Sequence, residues 1–215
     1  MQREGISAFI TPSTDPHSGE YIPDRWKSRR WISGFDGSAG IAVVTLDKAA
    51  LWTDSRYFIA AAEQLEGSEF LLMKERIEGT PTLAEWIAET LQEAKNGAVV
   101  AIDGWVNTTE DAEALENELR EYGMTLRTDI DPYAEIWADR PGIPDGKVFI
   151  QTMEYAGESA ASKIERIRKE LKGNALLVSM REEVAWTLNL RCTDVEYTPF
   201  LVSYMLITPD TATLY

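Results

Sequence analysis

The sequence predicts an α/β fold from three observations. Short apolar, β-branched runs alternate with amphipathic helical patterns, each helical pattern carries start and stop signals, and a stretch rich in proline and glycine divides the chain. The chain has 215 residues, of which 44% are hydrophobic. It is therefore long enough to bury at least one substantial core.

Three segments carry the signals of a helix. In each, a residue that can cap a helix precedes apolar residues spaced three or four apart, and a glycine follows. The predicted starts are Thr80-Pro81, Thr108 and Ser159, and the predicted stops are Gly97, Gly123 and Gly173. Five short apolar runs between these helices predict strands at residues 6–10, 41–46, 98–102, 148–151 and 175–179.

A linker is predicted at residues 140–146, where two prolines and two glycines fall within seven positions. We place the domain boundary at this linker. The sequence then consists of a first domain at residues 1–145 and the start of a second at residues 146–215.

An internal similarity indicates that the second domain is related to the first. Residues 44–52 align without a gap on residues 207–215, and each segment predicts a strand, an Asp-containing turn and a second strand. Two further pairs occur upstream in the same order: residues 30–35 with 185–190, and residues 6–10 with 175–179. The shared order favours duplication over chance similarity between two amphipathic hairpins. If the second domain copies the first, we expect it to continue beyond Tyr215 for roughly 90 residues.

Composition and charge exclude several classes of protein. The formal net charge is −15 without a basic stripe, which disfavours nucleic acid as a partner. No apolar run is long enough for a signal peptide or a membrane span. The single cysteine, Cys192, excludes an internal disulfide and a cysteine-rich zinc site, and it suits a cytoplasmic location.

The only histidine lies in a short segment of polar residues. Asp15, His17 and Glu20 have side chains that bind zinc or manganese in other proteins. Pro16 and Gly19 disrupt the helix that would bring such ligands together, so a loop with hydrogen-bonded side chains is favoured over a metal site.

Three other motifs fail to match an active site. Ser38 lacks the first glycine of the nucleophile elbow, and the glycines at 34, 37 and 40 match neither the dinucleotide fingerprint nor the P-loop. They favour a tight turn that leads into the strand at residue 41. Cys192 follows Arg191, which could lower its pKa, but a small structural residue is favoured. We predict no catalytic residue and no metal ligand within this chain.

Six segments together resemble the cytosolic type of Xaa-Pro aminopeptidase, also called aminopeptidase P. They are residues 15–21, 29–40, 51–58, 136–141, 155–157 and 183–191. The chain departs from the family pattern at Gly19, where serine is usual, at Ser55, where glycine is usual, and at Cys192, where glycine is usual. These departures affect local backbone geometry.

The resemblance implies a creatinase/prolidase N-terminal-type domain, with a mixed sheet flanked by helices, followed by a truncated second copy of the same kind. A C-terminal pita-bread catalytic domain would be absent. That domain is expected to hold two manganese ions, and none of its ligands falls within residues 1–215. The resemblance also implies a cytoplasmic homodimer that acts on peptides with proline at the second position.

Two functions are compatible with these features. In the first, the chain is the non-catalytic N-terminal region of such an enzyme, restricts substrate access and supports assembly. Asp15, His17, Glu20 and Tyr21 would then face the catalytic cleft, in preference to the turn at residues 36–40. In the second, the chain is a stand-alone binding module without peptidase activity.

Overall fold

The computed structural model describes residues 1–215, except for the side chains of residues 93 and 94. The chain forms two compact units. The first contains residues 1–20 and 26–140, and the second contains residues 21–25 and 141–215. No helix in the described part of the chain is both long and apolar enough to cross a membrane.

The first unit contains six strands and five α-helices. The strands are β1 (Ala8–Thr11), β2 (Ile41–Thr45), β3 (Ala49–Thr53), β4 (Phe70–Lys74), β5 (Val99–Ala101) and β6 (Thr125–Arg127). The helices are α1 (Ser28–Ser33), α2 (Phe58–Gln64), α3 (Leu83–Leu91), α4 (Thr109–Glu121) and α5 (Tyr133–Ile136).

These six strands form one mixed sheet in the order β4-β3-β2-β1-β5-β6. Strand β2 is antiparallel to both of its neighbours, whereas the pairs β3-β4, β1-β5 and β5-β6 are parallel. The predicted mixed sheet flanked by helices is therefore confirmed.

Both faces of this sheet are covered. Successive residues of a strand point to opposite faces, so Ile10 and Phe9 enter different clusters. Ile10 packs in a cluster with Val100 of β5 and Ile87 of α3, while Phe9 packs in another with Tyr133 of α5. Burial of an Ile or Phe side chain contributes about 1.5–3 kcal/mol. Coverage on both faces explains why all four residues of β1 are buried.

Helices α3 and α4 each begin after a threonine that caps them. The Thr82 hydroxyl accepts a hydrogen bond from Glu85 N (3.2 Å), and Glu85 Oε2 accepts one from Thr82 N (2.7 Å), which makes a capping box. The predicted start at Thr80-Pro81 was two residues early, because the Thr-x-x-Glu spacing outweighs the proline signal. Thr108 accepts from Asp111 N (3.0 Å), which confirms the predicted start of α4.

The predicted stops and strand limits differ from the structure by a few residues. Helix α3 ends at Leu91, well before Gly97, whereas α4 ends at Glu121 next to Gly123, whose φ of +75° suits glycine. The strand predicted at residues 6–10 is Ala8–Thr11, and the strands predicted at 41–46, 98–102, 148–151 and 175–179 lie within those ranges, whereas β4, β6 and β9 were not predicted. Strand ends depend on pairing with other strands, which local sequence does not encode.

The second unit contains five strands and three helices. In chain order they are β7 (Phe149–Ile150), α6 (Met153–Ala156), α7 (Ala160–Glu170), β8 (Leu176–Val178), α8 (Arg181–Leu188), β9 (Leu190–Arg191), β10 (Met205–Ile207) and β11 (Ala212–Leu214). The strands form a three-stranded sheet, β11-β10-β8, and a two-stranded sheet, β7-β9.

The core of this unit lies between its larger sheet and its helices. Val178 and Met205 of the sheet pack with Val184 of α8, and Ile164 and Ile167 of α7 pack against them. Helix α7 begins after Ser159, whose side chain accepts from Ser162 N (3.2 Å). The predicted start of the third helix is therefore confirmed.

The predicted duplication is confirmed by the hairpin registers. Val44 pairs with Ala49 in the β2-β3 hairpin, and Ile207 pairs with Ala212 in the β10-β11 hairpin. These four residues correspond under the ungapped alignment of residues 44–52 with 207–215. Strand β1 pairs antiparallel with β2, just as β8 pairs antiparallel with β10. The two units therefore share one strand order in this region.

The helix before each hairpin ends in the same way. The residue after α1 is Gly34, and the residue after α8 is Asn189. Both adopt left-handed backbone angles, with φ of 76° and 55° respectively. Glycine and asparagine are the residues that most readily stop a helix in this conformation.

One part of the predicted alignment is wrong by two residues. Ile10 pairs with Val43, and Leu177 pairs with Leu206, so Ile10 corresponds to Leu177 and not to Ser179. A shift of two residues keeps each side chain on its original face of the sheet. The hydrophobic pattern therefore cannot detect it.

Candidate functional site

A crevice of about 530 Å³ opens in the first unit beyond the carboxyl ends of β1 and β5. Strands β1 and β5 are parallel neighbours in the sheet. After β1 the chain continues to β2, on one side of this pair, and after β5 it continues to β6, on the opposite side. Such a reversal of strand order is where open α/β sheets usually bind ligands. The walls come from residues 12–14 and 18 after β1, residues 38–40 before β2 and residues 106–108 after β5.

The loop after β1 is held by a buried carboxylate. Asp15 is 1% exposed, and its Oδ1 accepts hydrogen bonds from His17 N (3.0 Å) and Gly19 N (3.1 Å). Its carbonyl accepts from Ser18 N (2.9 Å), and Ser18 has a left-handed φ of 51°. Asp15 thus closes a hydrogen-bonded turn, in agreement with the loop predicted from the sequence.

The same loop is tied to the other walls of the crevice. The Ser13 hydroxyl donates to Gly40 O (2.7 Å), which lies just before β2. The Thr14 hydroxyl donates to Val106 O, which lies after β5. Three chain segments from different parts of the sequence are therefore joined by side-chain hydrogen bonds.

Arg29 is the buried cation beside this crevice. It is 5% exposed, its Nε donates to Ser13 Oγ (2.8 Å), and its two terminal nitrogens donate to the carbonyls of Phe35 and Gly37. The guanidinium also lies 4.7 Å from the centre of the Phe35 ring. Burial lowers the pKa of Arg29 to about 10, and the charge of Asp36 partly opposes that effect.

Gly37 and Gly40 allow close packing, a role that differs from the tight turn predicted, whereas Gly34 has the left-handed φ of 76° that ends α1. A Cβ atom on Gly37 would lie 2.3 Å from the Phe35 ring and 2.7 Å from the Tyr57 ring. A Cβ atom on Gly40 would lie 2.9 Å from the carbonyl oxygen of Trp52. Neither position admits a side chain without movement of its neighbours.

The lining of the crevice combines apolar, hydroxyl and acidic side chains. Its carboxylates are Glu75, Asp111 and Glu118. Asp111 Oδ2 accepts from the Thr108 hydroxyl (2.6 Å). Among residues whose side chains are described, no Lys, Arg or His lines the crevice. The electrostatic character of the crevice is therefore negative.

The predicted candidate residues are divided between the two units. Asp15 is buried, His17 is half-buried and Glu20 is exposed in the loop of the first unit. Tyr21 belongs to the second unit, where its carbonyl accepts from Arg181 Nη2 (3.1 Å) and its ring lies 5.9 Å from the Tyr197 ring. The sequence argument preferred the loop at residues 15–21 over the turn at residues 36–40 as the segment that faces the cleft. In the structure both segments line one crevice, through Ser18 and residues 38–40.

Sequence reasoning missed the residues that build this crevice. Arg29 lies within a segment that resembles the family. The sequence does not indicate that it is buried, because adjacent arginines in a helix are usually exposed. Glu75 and Glu118 carry no local signal, since single glutamates occur throughout this acidic chain. Only the fold brings them to one cavity.

The side chains do not fit the dinuclear metal centre that the family resemblance implies. Within the described residues, no group of three or more His, Cys, Asp or Glu side chains is placed to hold a metal ion. The Asp15 Oδ1 is already occupied by two backbone N–H groups. We therefore assign no metal-dependent step to this chain.

Cys192 is a buried residue in the second unit. It is 1% exposed, and burial raises the pKa of its thiol. The neighbouring Arg191 directs its Nη1 to the carbonyls of Ala185 (3.2 Å) and Leu190 (2.7 Å). The structural role favoured for Cys192 agrees with this environment.

Comparison with known proteins gives the family. A family model described as Creatinase/Prolidase N-terminal domain matches residues 1–132, and a second with the same description matches residues 139–215. A probable Xaa-Pro aminopeptidase P from Tuber melanosporum is 42% identical over 221 residues, which cover 100% of this chain and 35% of that protein. Aminopeptidase P2 from Arabidopsis thaliana is 40% identical over 217 residues, which cover 98% of this chain and 30% of that protein.

The fold also matches a solved enzyme. The crystal structure of X-prolyl aminopeptidase from Caenorhabditis elegans, described as a cytosolic enzyme with a di-nuclear active site, has a TM-score of 0.85 at 30% identity. The match covers 98% of this chain and 34% of that chain, so the chain spans about a third of the length of these relatives. The resemblance to Xaa-Pro aminopeptidases is confirmed, and the chain belongs to the creatinase/prolidase N-terminal domain family.

Proposed function

We propose that this chain is the non-catalytic N-terminal region of a metal-dependent Xaa-Pro aminopeptidase. The observation that carries the proposal is the match over nearly the whole chain to the C. elegans enzyme, at a TM-score of 0.85. The sequence identities of 40–42% to aminopeptidase P relatives support it. As the family resemblance implies, the peptidase chemistry would reside in a further pita-bread domain with two manganese ions; the described side chains of this chain do not form such a centre.

The proposed role of the chain is to restrict access to that catalytic domain and to support assembly. The chain would consist of a domain at residues 1–145 and part of a related domain at residues 146–215. Its loop at residues 15–20 is fixed by Asp15, and a fixed loop on a rigid sheet is suited to limit what enters a neighbouring cleft. The whole protein would be a cytoplasmic homodimer that acts on peptides with proline at the second position.

The direct test compares the natural reading frame with the 215-residue chain. We expect the frame to continue past Tyr215. Its full product should release the first residue of an Arg-Pro-Pro peptide when manganese is present, and should not cleave the matched Arg-Ala-Pro peptide. The 215-residue chain, freed of host peptidases, should cleave neither. A frame that stops at Tyr215 would instead support the stand-alone binding module.

A second test addresses the role of the loop. His17→Ala in the full product should lower kcat/KM for Xaa-Pro peptides by about 10- to 100-fold, or ~1.4–3 kcal/mol, with metal content unchanged. The matched control is Lys48→Ala in the β2-β3 turn, which should leave kcat/KM unchanged. If His17→Ala and the unmodified enzyme have equal kcat/KM on short and long peptides, the loop does not face the cleft.

A further inference from the structure

We infer that the crevice beyond β1 and β5 binds an organic cation with an alkyl arm, that is, an alkylguanidinium or alkylammonium group. The inference concerns the first unit alone and does not depend on the proposed peptidase function. It rests on the size of the cavity, its place in the sheet, its apolar floor and its acidic lining.

The cavity has the dimensions and the rigid walls of a binding site. Its volume of about 530 Å³ lies within the range of about 300–1,000 Å³ for small-molecule sites. Hydrogen bonds from Ser13 to Gly40 and from Thr14 to Val106 hold its walls together before any ligand arrives. Fixed walls reduce the entropy that a protein loses when it binds a ligand.

The floor of the crevice suits an alkyl chain. Apolar side chains from two strands and two helices contribute to it: Ile10, Ile41, Leu83 and Leu115. An alkyl arm of three or four carbons can pack on such a surface while its charged end stays in a polar environment, as the stems of lysine and arginine do.

The charge of the lining selects a cation. Within the part of the chain whose side chains are described, no ion pair neutralises Glu75 or Glu118, and no basic side chain lines the crevice. The lining carboxylates therefore disfavour an anion, and Arg29, which lies behind Ser13, directs its donors to Ser13 Oγ and to the carbonyls of Phe35 and Gly37. The hydroxyls of Ser18, Ser38 and Thr108 and the Asn107 side chain supply further acceptors for the several N–H groups of a guanidinium.

The spacing of the carboxylates favours an organic cation over a metal ion. Glu75 follows β4, Asp111 lies in the first turn of α4, and Glu118 lies two turns further along that helix. They surround a cavity and do not form a group that could hold a metal ion, within the described residues. An extended ligand with a delocalised charge matches separated carboxylates better than a small ion does.

The first experiment measures binding to the 215-residue chain by two-dimensional ¹H–¹⁵N NMR. The probe is n-butylguanidinium, and the control is n-butylurea, which has nearly the same shape and no charge. We expect saturable shifts of the Val106, Asn107 and Thr108 amides with n-butylguanidinium, and at least tenfold weaker binding of n-butylurea. Binding should weaken as salt is raised from 20 to 300 mM, roughly the range over which screening of such charges becomes strong.

The variants test which carboxylates are responsible. The double variant Glu75→Gln/Glu118→Gln keeps the side-chain shapes and should weaken n-butylguanidinium binding about tenfold or more. Glu113→Gln, on α4 but outside the crevice, should bind as the unmodified chain does. Far-UV circular dichroism and Tm show whether each variant is folded, and single variants replace the double one if it is not.

Two natural sources share this chemistry and are separated by further titrations. The two ligands to compare are spermidine and a tripeptide that contains Lys or Arg and is acetylated and amidated at its ends. Tighter binding of the tripeptide assigns the crevice to a basic peptide side chain. Tighter binding of spermidine assigns it to a polyamine. The inference is overturned if n-butylguanidinium causes no saturable shift, if n-butylurea binds equally well, or if the shifts map to the outer face of α4.

Discussion

Arg29 is a charged side chain that the protein buries against neutral partners. Its acceptors are a serine hydroxyl and two backbone carbonyls from the segments on either side of the crevice. A buried guanidinium is costly unless its donors are used, and here they connect the loop after β1 to the segment before β2. One residue therefore fixes the relative positions of two loops.

We expect Arg29→Met to lower the free energy of unfolding by about 2–4 kcal/mol, because buried acceptors lose their donor. Urea unfolding monitored by tryptophan fluorescence measures this loss. The control is Arg30→Met, since Arg30 is the adjacent arginine and is exposed, and its change should stay within about 0.5 kcal/mol. Equal losses in the two variants would show that Arg29 does not hold the loops.

Glu158 makes the stability of the second unit depend on pH in the acid range. Arg166 and then Ser162 donate hydrogen bonds to its carboxylate and lower its pKa to about 2. Because the folded-state pKa lies below the ordinary value of 4.5, the stabilisation is present above pH 4.5 and is lost as pH falls toward 2. The side chain is 30% exposed, so solvent and salt reduce the effect.

Glu158→Gln should therefore flatten the decline of Tm between pH 4.5 and about 2, the interval set by the two pKa values. Differential scanning calorimetry over this range measures the slope. Glu154→Gln, an exposed glutamate of α6, is the control and should retain the decline of the unmodified chain. A parallel decline for Glu158→Gln would contradict the assignment.

At the level of elements, the two hairpins share the hydrogen bonds of their turns as well as their register. Thr45 N donates to Lys48 O (2.8 Å), and Thr208 N donates to Thr211 O (2.9 Å). In each turn the threonine hydroxyl accepts from the amide three residues later, at 3.0 and 2.9 Å. A threonine followed two residues later by aspartate therefore forms the same turn in both units.

We expect Thr45→Val and Thr208→Val to destabilise their hairpins by a similar amount, about 1 kcal/mol each, because each removes the hydroxyl that accepts from two backbone N–H groups of the turn. The matched variants Thr45→Ser and Thr208→Ser keep the hydroxyl and should lose less. Hydrogen exchange of the Lys48 and Thr211 amides locates the change. If the valine variants exchange these amides as slowly as the serine variants, the hydroxyls do not stabilise the turns.

At the level of the whole molecule, the chain passes between its two compact units three times, at residues 20–21, 25–26 and 140–141. Residues 141–147 have no regular secondary structure. Arg140 forms an ion pair with Asp131 and its side chain is 7% exposed, whereas Lys147 is exposed. The segment 141–147 therefore offers a protease one exposed basic residue, Lys147.

We expect limited trypsin digestion of the folded chain to cut first after Lys147, because proteolysis needs an exposed segment that can open locally. The products should be residues 1–147 and 148–215, identified by mass spectrometry. Lys147→Gln should abolish these products without changing Tm. Earlier cleavage within either unit would show that the connection is better protected than the units are.

Local sequence was sufficient for features that depend on neighbouring residues. The threonine and serine starts of α4 and α7 were predicted, because a cap acts within one turn of the helix. The duplicated hairpin was predicted because its turn and both strands lie close together in the chain, at residues 41–53 and 205–214. The start of α3 and the pairing of Ile10 were misplaced by two residues, since competing caps and strand registers differ in energies that the pattern does not contain.

The sequence by itself determined the α/β class, the family resemblance, the repeated hairpin and the negative charge. Only the tertiary structure decided that Arg29 holds the loops, that Glu75 and Glu118 share a crevice with the loop after β1, and that Tyr21 belongs to the second unit. The physical reason is distance along the chain. Capping, turns and periodicity act over a few residues, whereas a cavity depends on which distant segments the sheet order brings together.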